Sequence, residues 1–297
     1  MAIIGISGRI GSGKDTVGKI IQYLIDKHGH GFTNPDTEFD FQSYINVRHD
    51  KHSSWKIKKF AYALKQVCSI LTGIPIEDFE KQEVKDRVLG EEWRGWYVIV
   101  RLVNDYGTYY TIKRFATEKK GNAFKATTDG TIIESGTNLI TVRELLQQVG
   151  TDAMRNIVHP NVWVNALMSQ YKSVKCTSFP HNAPLFGIPT EEDEIRYGRV
   201  ELIKPNWIIT DVRFPNEAVA IKERSGIVIR VNRDDYIFDE DGKRIIPSKE
   251  YVNIPIKEHS SEIALDDYPF DYFINNNGSI EELIKEVKYF LTIKEIL

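Results

Sequence analysis

Ala2-Ile3-Ile4-Gly5-Ile6-Ser7-Gly8-Arg9-Ile10-Gly11-Ser12-Gly13-Lys14-Asp15-Thr16 is the stretch that sets the fold class. Ala2 to Ile6 is a short apolar run, the pattern of a buried strand. Ser7 to Gly13 is small and glycine-rich. Beyond it Val17, Ile20, Ile21, Leu24 and Ile25 recur at helical spacing, which predicts an amphipathic helix from about Lys14 to Lys27. Strand, glycine loop and helix in that order open an α/β fold. The loop fits G-x-x-x-x-G-K, with Asp15 where Ser or Thr usually stands and Thr16 one place later. Gly8, Gly11 and Gly13, with Ser12 between them, let the backbone wrap a polyphosphate with its N–H groups inward. The helix adds its positive end, and Lys14 adds a point charge for the β- and γ-phosphates. Thr16 or Asp15 can hold magnesium, directly or through water. The competing reading is a turn that merely joins strand to helix; three glycines and a lysine straight after a strand weigh against it.

The same alternation continues along the chain. Trp55 to Ala61 reads as a strand, Leu64 to Leu71 as a short helix ended at Gly73, and the charged residues 77–93 as helical. Residues 28–55 read as loop. Tyr97-Val98-Ile99-Val100, Tyr109-Tyr110-Thr111-Ile112 and Thr131-Ile132-Ile133 are β-rich and divided by Gly, Asn and Asp, which predicts an antiparallel insertion. Thr141 and Glu144 form a capping-box pattern ahead of the stripe Val142, Leu145, Leu146 and Val149. Pro160 suits the first turn of a helix reaching about Tyr171. Residues 176–200, with Pro180, Pro184, Gly187, Pro189 and an acidic run, predict a surface excursion. Trp207 to Thr210 is a buried strand, Pro215 starts a helix stopped at Gly226, and Ile227 to Val231 and Phe270 to Ile274 are further strands. Ser279 and Glu282 cap a last helix. Strands alternating with helices imply a parallel sheet covered on both faces.

Composition narrows the class. The 297 residues allow one large domain or two small ones at roughly 100–200 residues each. Hydrophobic residues make up 41% and charged residues 27%, an ordinary globular balance. No apolar run approaches the length of a membrane span, and Met1-Ala2-Ile3-Ile4-Gly5 lacks the basic flank and apolar core of a signal peptide. Two cysteines, Cys68 and Cys176, exclude a disulfide framework and fit a reducing cytoplasm. A net charge of -3 argues against coating nucleic acid. His28 with His30, or His49 with His52, could chelate a metal only adventitiously, since no third ligand has suitable spacing. The loop itself specifies a nucleoside triphosphate and no particular reaction. An Asn-Lys-x-Asp base-reading motif is missing, the Trp207–Thr210 strand ends in Asp211-Val212, and G-x-G-K-x-T is the form of small-molecule kinases.

Four blocks carry a resemblance. They are Ser7 to Thr16; Arg143-Glu144-Leu145-Leu146-Gln147-Gln148-Val149-Gly150-Thr151-Asp152 leading to His159-Pro160-Asn161-Val162-Trp163-Val164; Thr210-Asp211-Val212-Arg213-Phe214-Pro215-Asn216-Glu217-Ala218; and His259-Ser260-Ser261-Glu262 with Phe270-Asp271-Tyr272. Together they resemble the bacteriophage deoxynucleoside monophosphate kinases over the framework of the chain, leaving out 97–135 and 176–200. The resemblance implies a P-loop kinase fold, an α/β domain with a parallel sheet flanked by helices. It would be a single domain over 1–297, with a β-rich insertion at 97–135 and an excursion at 176–200, either of which could supply a lid. It implies transfer of the γ-phosphoryl of ATP to a deoxynucleoside monophosphate, magnesium as the ion, a bacterial host's cytoplasm if the source is viral, and no nucleic-acid or membrane partner. The oligomeric state stays open, a homodimer included.

A monophosphate acceptor needs cations and an anchored base. Arg143 and Gln147, four apart, share a helical face, with Gly150 and Thr151 one turn on; a solvated polar face would look the same, and the resemblance favours an acceptor site for Arg143, Gly150 and Thr151. Trp163 could stack on a base or sit in the core. Asp211 and Arg213 end a buried strand, where ligands of open α/β sheets bind. Arg213 can neutralise a transferring phosphate and Asp211 can orient it. Glu217 could accept from base or sugar. An internal Asp–Arg pair with a helix-start glutamate is the plainer alternative. Lys65, in a segment similar to the family's acceptor-lining stretch, Arg87, in a charged helix, and Arg155 are further cations. Lys14, Arg143, Arg213 and Asp211 are thus the expected catalytic set. A kinase of another small phosphate acceptor, or a nucleotide-binding switch without transfer, are the competing functions.

Overall fold

The computed structural model describes residues 3–29, 40–46, 53–104, 107–178, 199–233, 237–238, 244–245 and 263–297. The chain divides into two compact units. One comprises 1–60, 164–233 and 264–297, the other 61–163 and 234–263.

The first unit is built on five parallel strands. These are β1 (Ile3–Ser7), β2 (Trp55–Lys58), β8 (Asn206–Val212), β9 (Ile227–Asn232) and β12 (Tyr272–Asn275), in the spatial order β12-β9-β1-β8-β2. Side chains alternate across the sheet, as the two-residue period of a strand requires. Ile4, Ile6, Ile208, Ile229 and Val231 pack with α1 (Lys14–Gly29), α2 (Phe41–Asn46) and the last helix, α9 (Ile280–Ile293). Ile3, Trp207, Ile209, Val212 and Val228 pack on the other face with α7 (Val162–Met168) and α8 (Pro215–Lys222). The sheet is therefore covered on both sides, and buried strands of this kind read as continuous apolar runs. β1 lies in the middle. The chain leaves it for the β2 edge, returns through β8, and then crosses to β9 on the other side. The reversal occurs at the carboxyl end of β1, the place where open α/β sheets form a crevice. This parallel sheet flanked by helices is compatible with a P-loop kinase fold. An antiparallel pair, β6 (Val174–Ser178) with β7 (Arg199–Ile203), also belongs to this unit. It brackets the expected 176–200 excursion, of which 179–198 lie outside the described residues.

In the second unit, β3 (Gly95–Asn104), β4 (Gly107–Phe115) and β5 (Thr131–Asn138) form an antiparallel sheet in the order β4-β3-β5, as the β-rich run implies. Two helices were not anticipated: α2 in the first unit, within residues 28–55 that read as loop, and α5 (Glu118–Thr127), which covers this sheet. Gly121 disguises α5, yet a Cβ there would collide with the Trp96 indole, so the glycine serves packing. Residues 77–93 are not one helix. They break into short turns at Ile76–Glu80 and Glu91–Trp93 around α4 (Gln82–Lys85). The residues they turn into the core, Phe79, Val84 and Leu89, fall five apart, which is not the spacing of one helical stripe. These residues join Cys68 from α3 (Tyr62–Thr72), with Val142 and Leu145 from α6 (Val142–Gln147), in this unit's core. The predicted capping box on α6 is present: Glu144 N donates to Thr141 Oγ1 (3.2 Å) and Thr141 N to Glu144 Oε2 (2.8 Å). Past α6 the helix widens into π-type turns over Gln148–Val158, closed by the His159 amide on the Met154 carbonyl five residues back. Strand β10 (Ile237–Phe238) pairs with β11 (Arg244–Ile245), and the His259 block lies outside the described residues. No described helix is long and apolar enough to cross a membrane.

Two consequences are measurable. Ser279 Oγ accepts from the Glu282 amide at 3.2 Å and Glu282 Oε2 accepts from the Ser279 amide at 2.8 Å, so Ser279→Ala should cost about 1 kcal/mol in denaturant unfolding with an unchanged m-value. Burial raises the Cys68 thiol from its ordinary 9.0 to about 11. The thiolate is the reactive form, so native Cys176→Ser protein should resist thiol reagents at pH 8 and react on unfolding. The sign follows from linkage: the unfolded thiol ionises first, so this group's contribution to stability falls as pH rises from about 9 towards 11.

Candidate functional site

The glycine turn between β1 and α1 holds three of the positive-φ glycines among the described residues, Gly8, Gly11 and Gly13. Gly13 has φ +92°, a conformation costly for any residue with a side chain, and the place its Cβ would take is filled by the Asn276 amide. At Gly8 a Cβ would lie 2.5 Å from Ser12 Oγ and 2.6 Å from the Val231 carbonyl. The turn therefore lies directly against its neighbours at both ends.

Its carbonyls are held both by its own residues and by donors from elsewhere in the unit. Lys14 Nζ donates to Gly8 O (2.8 Å) and Arg9 O (2.6 Å), and the Ser12 amide also reaches Arg9 O (3.2 Å). Arg233 Nη1 reaches Gly11 O (3.5 Å), and Asn276 Nδ2 donates to Ser12 O (2.9 Å). A trans peptide points its carbonyl and the following N–H in opposite directions. The bond to Ser12 O thus turns the Gly13 N–H away from Asn276, and that N–H has no partner among the described residues. Inside the turn, the Ser12 hydroxyl is 3% exposed and also lacks a partner. A buried orphan hydroxyl beside an orphan amide at a helix start is an arrangement that an anion would complete.

Beside the turn, the Asp15 carboxylate accepts from the Thr210 hydroxyl (2.6 Å) and pairs with Lys59 Nζ (3.0 Å). Asp211 Oδ1 accepts from the Phe60 amide at 2.8 Å. Consecutive residues after β2 thereby contact carboxylates from α1 and β8. On the other flank, Asp266 takes Arg9 on one oxygen (3.1 Å) and Arg230 on the other (2.8 Å), and Arg230 also reaches Ser7 Oγ (3.3 Å). Arg213 is half-buried directly after β8. Glu217 is 2% exposed, and its Oε2 accepts from the Arg213 (2.7 Å) and Phe214 (3.1 Å) amides. Pro215 supplies no N–H at the helix start, so this carboxylate serves the two amides that precede it.

The structure thus brings Gly8, Gly11, Ser12, Gly13, Lys14, Asp15, Thr16, Asp211, Arg213 and Glu217 into one unit. Lys65, Arg87, Arg143, Gly150, Thr151 and Trp163 belong to the other. There Arg143 Nη2 pairs with Asp86 at 3.0 Å, and that guanidinium, followed by the Gln82 amide, holds the Asp86 carboxyl below its ordinary value. Lys65, largely buried, pairs with Glu80 at 2.5 Å. Arg87 is exposed, while its carbonyl accepts from the Val142 amide at 3.0 Å, tying it to the start of α6. Gly150 is buried, its α-carbon facing Leu64, and Thr151 and Arg155 are half-buried on the π-type turns. Trp163 is 4% exposed and gives its indole N–H to the Gly150 carbonyl (2.9 Å).

Sequence reasoning missed Lys59, Thr210, Arg230, Arg233, Asp266 and Asn276. The available signal was position: Thr210, Arg230, Arg233 and Asn276 lie at or just past the carboxyl ends of the predicted strands, where α/β sheets place their site residues.

Over 150 residues, half of this chain, the sequence is 27% identical to a protein of Acanthamoeba polyphaga mimivirus named "Putative deoxynucleotide monophosphate kinase". The match spans 59% of that relative's length. No family model matches the chain. The similarity suggests a nucleotide kinase.

Glu217 offers a direct stability test. Glu217→Ala removes a shared acceptor from the Arg213 and Phe214 amides and should cost about 1–3 kcal/mol in chemical unfolding, whereas Glu217→Gln keeps an acceptor oxygen and should cost less.

Proposed function

We propose that this protein transfers the γ-phosphoryl group of ATP to a deoxynucleoside monophosphate, yielding the diphosphate. The observation that carries the reading is the turn at the end of β1: Lys14 and Asn276 hold its carbonyls, and a buried hydroxyl and an amide are left without partners among the described residues at the start of α1. This arrangement supports reading the turn as a phosphate-binding loop, and the viral relative's name supports the kinase reading. In this reading Gly8, Gly11, Ser12, Gly13 and Lys14 receive the polyphosphate. Asp15 and Thr16 are the oxygen donors that would hold magnesium, a hard cation that prefers such ligands. The ion would neutralise phosphate charge during transfer.

Arg213 and Asp211 extend the site along β8. In the same reading Arg143, Lys65 and Arg87 are the cations for the acceptor phosphate, and Thr151 a polar contact for it. Glu217 acts by shaping the Arg213–Phe214 backbone. Trp163 acts by holding Gly150, since its ring is buried. The attacking phosphate oxygen is already anionic, so catalysis rests on positioning and charge neutralisation rather than on a general base.

The test is ATP and magnesium with each deoxynucleoside monophosphate in turn, diphosphates being resolved by chromatography. One or more should be converted; none converted overturns the reading. Lys14→Met should lower turnover roughly 100-fold or more with the circular dichroism spectrum unchanged. A near-normal rate would remove the turn from the chemistry.

A further inference from the structure

We propose that Asn276 is a positioning residue for the phosphate turn. It would act on substrate through the backbone it holds, an inference that rests on the functional reading above. Two features of the structure carry it. Asn276 Nδ2 donates to the Ser12 carbonyl at 2.9 Å across 264 residues of sequence, and the same amide occupies the place where a Gly13 side chain would begin. The contact falls on the peptide between the orphaned Ser12 hydroxyl and the unpartnered Gly13 N–H. Because carbonyl and N–H of a trans peptide are opposed, holding Ser12 O on one side directs Gly13 N–H to the other. Asn276 follows β12 directly, and its own amide donates to the Asn232 carbonyl at 2.8 Å, so the donor is anchored to the sheet rather than carried on a free loop. Side-chain chemistry is specific here. The carboxamide is a neutral donor, so it fixes a carbonyl without adding charge near a polyanion. An aspartate of the same shape would place an acceptor against an acceptor and a negative charge beside the phosphates.

The experiment compares wild-type protein, Asn276→Asp, Asn276→Ala and Ser279→Ala by calorimetric titration with ATP and magnesium, by the ATP-induced rise in Tm, and by steady-state kinetics. Asn276→Asp should weaken ATP binding tenfold or more and abolish most of the ATP-induced rise in Tm. KM for ATP should rise more than kcat falls. Asn276→Ala should weaken binding several-fold, and it carries the test if the aspartate variant fails to fold. Ser279→Ala, three residues on, should lower Tm without ATP and leave ATP affinity unchanged. A purely structural role would lower the ATP-free Tm of the Asn276 variants and leave their affinity at the wild-type value; that result overturns the inference while leaving the kinase reading intact. Absence of any ATP-dependent stabilisation in the wild type would instead overturn the kinase reading, and this inference with it.

Discussion

A peptide chain cannot present amides to one side without sending carbonyls to the other. Each carbonyl so displaced needs a donor, since a buried unpaired backbone group is costly. Around residues 8–13 these donors are Lys14, the Ser12 amide, Arg233 and Asn276. Two come from within the turn and two from beyond strands β9 and β12. The sheet order makes this possible. With β1 central, the ends of β9 and β12 lie on one flank of the turn and the end of β8 on the other. Arg230, Arg233 and Asn276 serve the first flank, and Thr210 and Asp211 the second.

Charge is balanced with the same care. Asp15 stands in the first turn of α1, where a helix dipole favours an anion. Its carboxylate is met by the Lys59 ammonium and the Thr210 hydroxyl. Asp266 is flanked by two guanidiniums, Arg9 and Arg230. Asp15 and Asp266 are thus matched by cations, which offsets their negative charge close to the turn. A hydroxyl in place of Asp15 would leave Lys59 without this carboxylate, so the departure from the usual Ser or Thr is coupled to the end of β2.

What the sequence revealed depended on how local each signal was. The strand–glycine–helix entry, the capping boxes at Thr141 and Ser279 and the Trp207–Thr210 strand were legible because their determinants lie within a few residues. The β-rich stretch was legible from β-branched and aromatic runs divided by turn residues. Helix α5 was hidden by Gly121, whose lack of a side chain is explained by Trp96 of strand β3. The widened turns after Gln147 were hidden because a 3.6-residue period assumes regular bonding. Residues 8–16 could be named from the motif, but the donors that orient them could not. Nothing near Arg233 or Asn276 announces a bond to a carbonyl more than 200 residues away.

The central strand meets none of its neighbours early. β1 ends at Ser7, and the strands that flank it begin at Asn206 and Ile227. On the ribosome, the N-terminal apolar segment emerges long before anything can zip alongside it. Non-local pairing of this kind slows folding and leaves greasy surface open to misassembly. Until residues 206–232 have been made, the apolar run of β1 has no strand to pair with. The turn that follows it gains its Asn276 contact later still, about 260 residues after its own glycines have been joined.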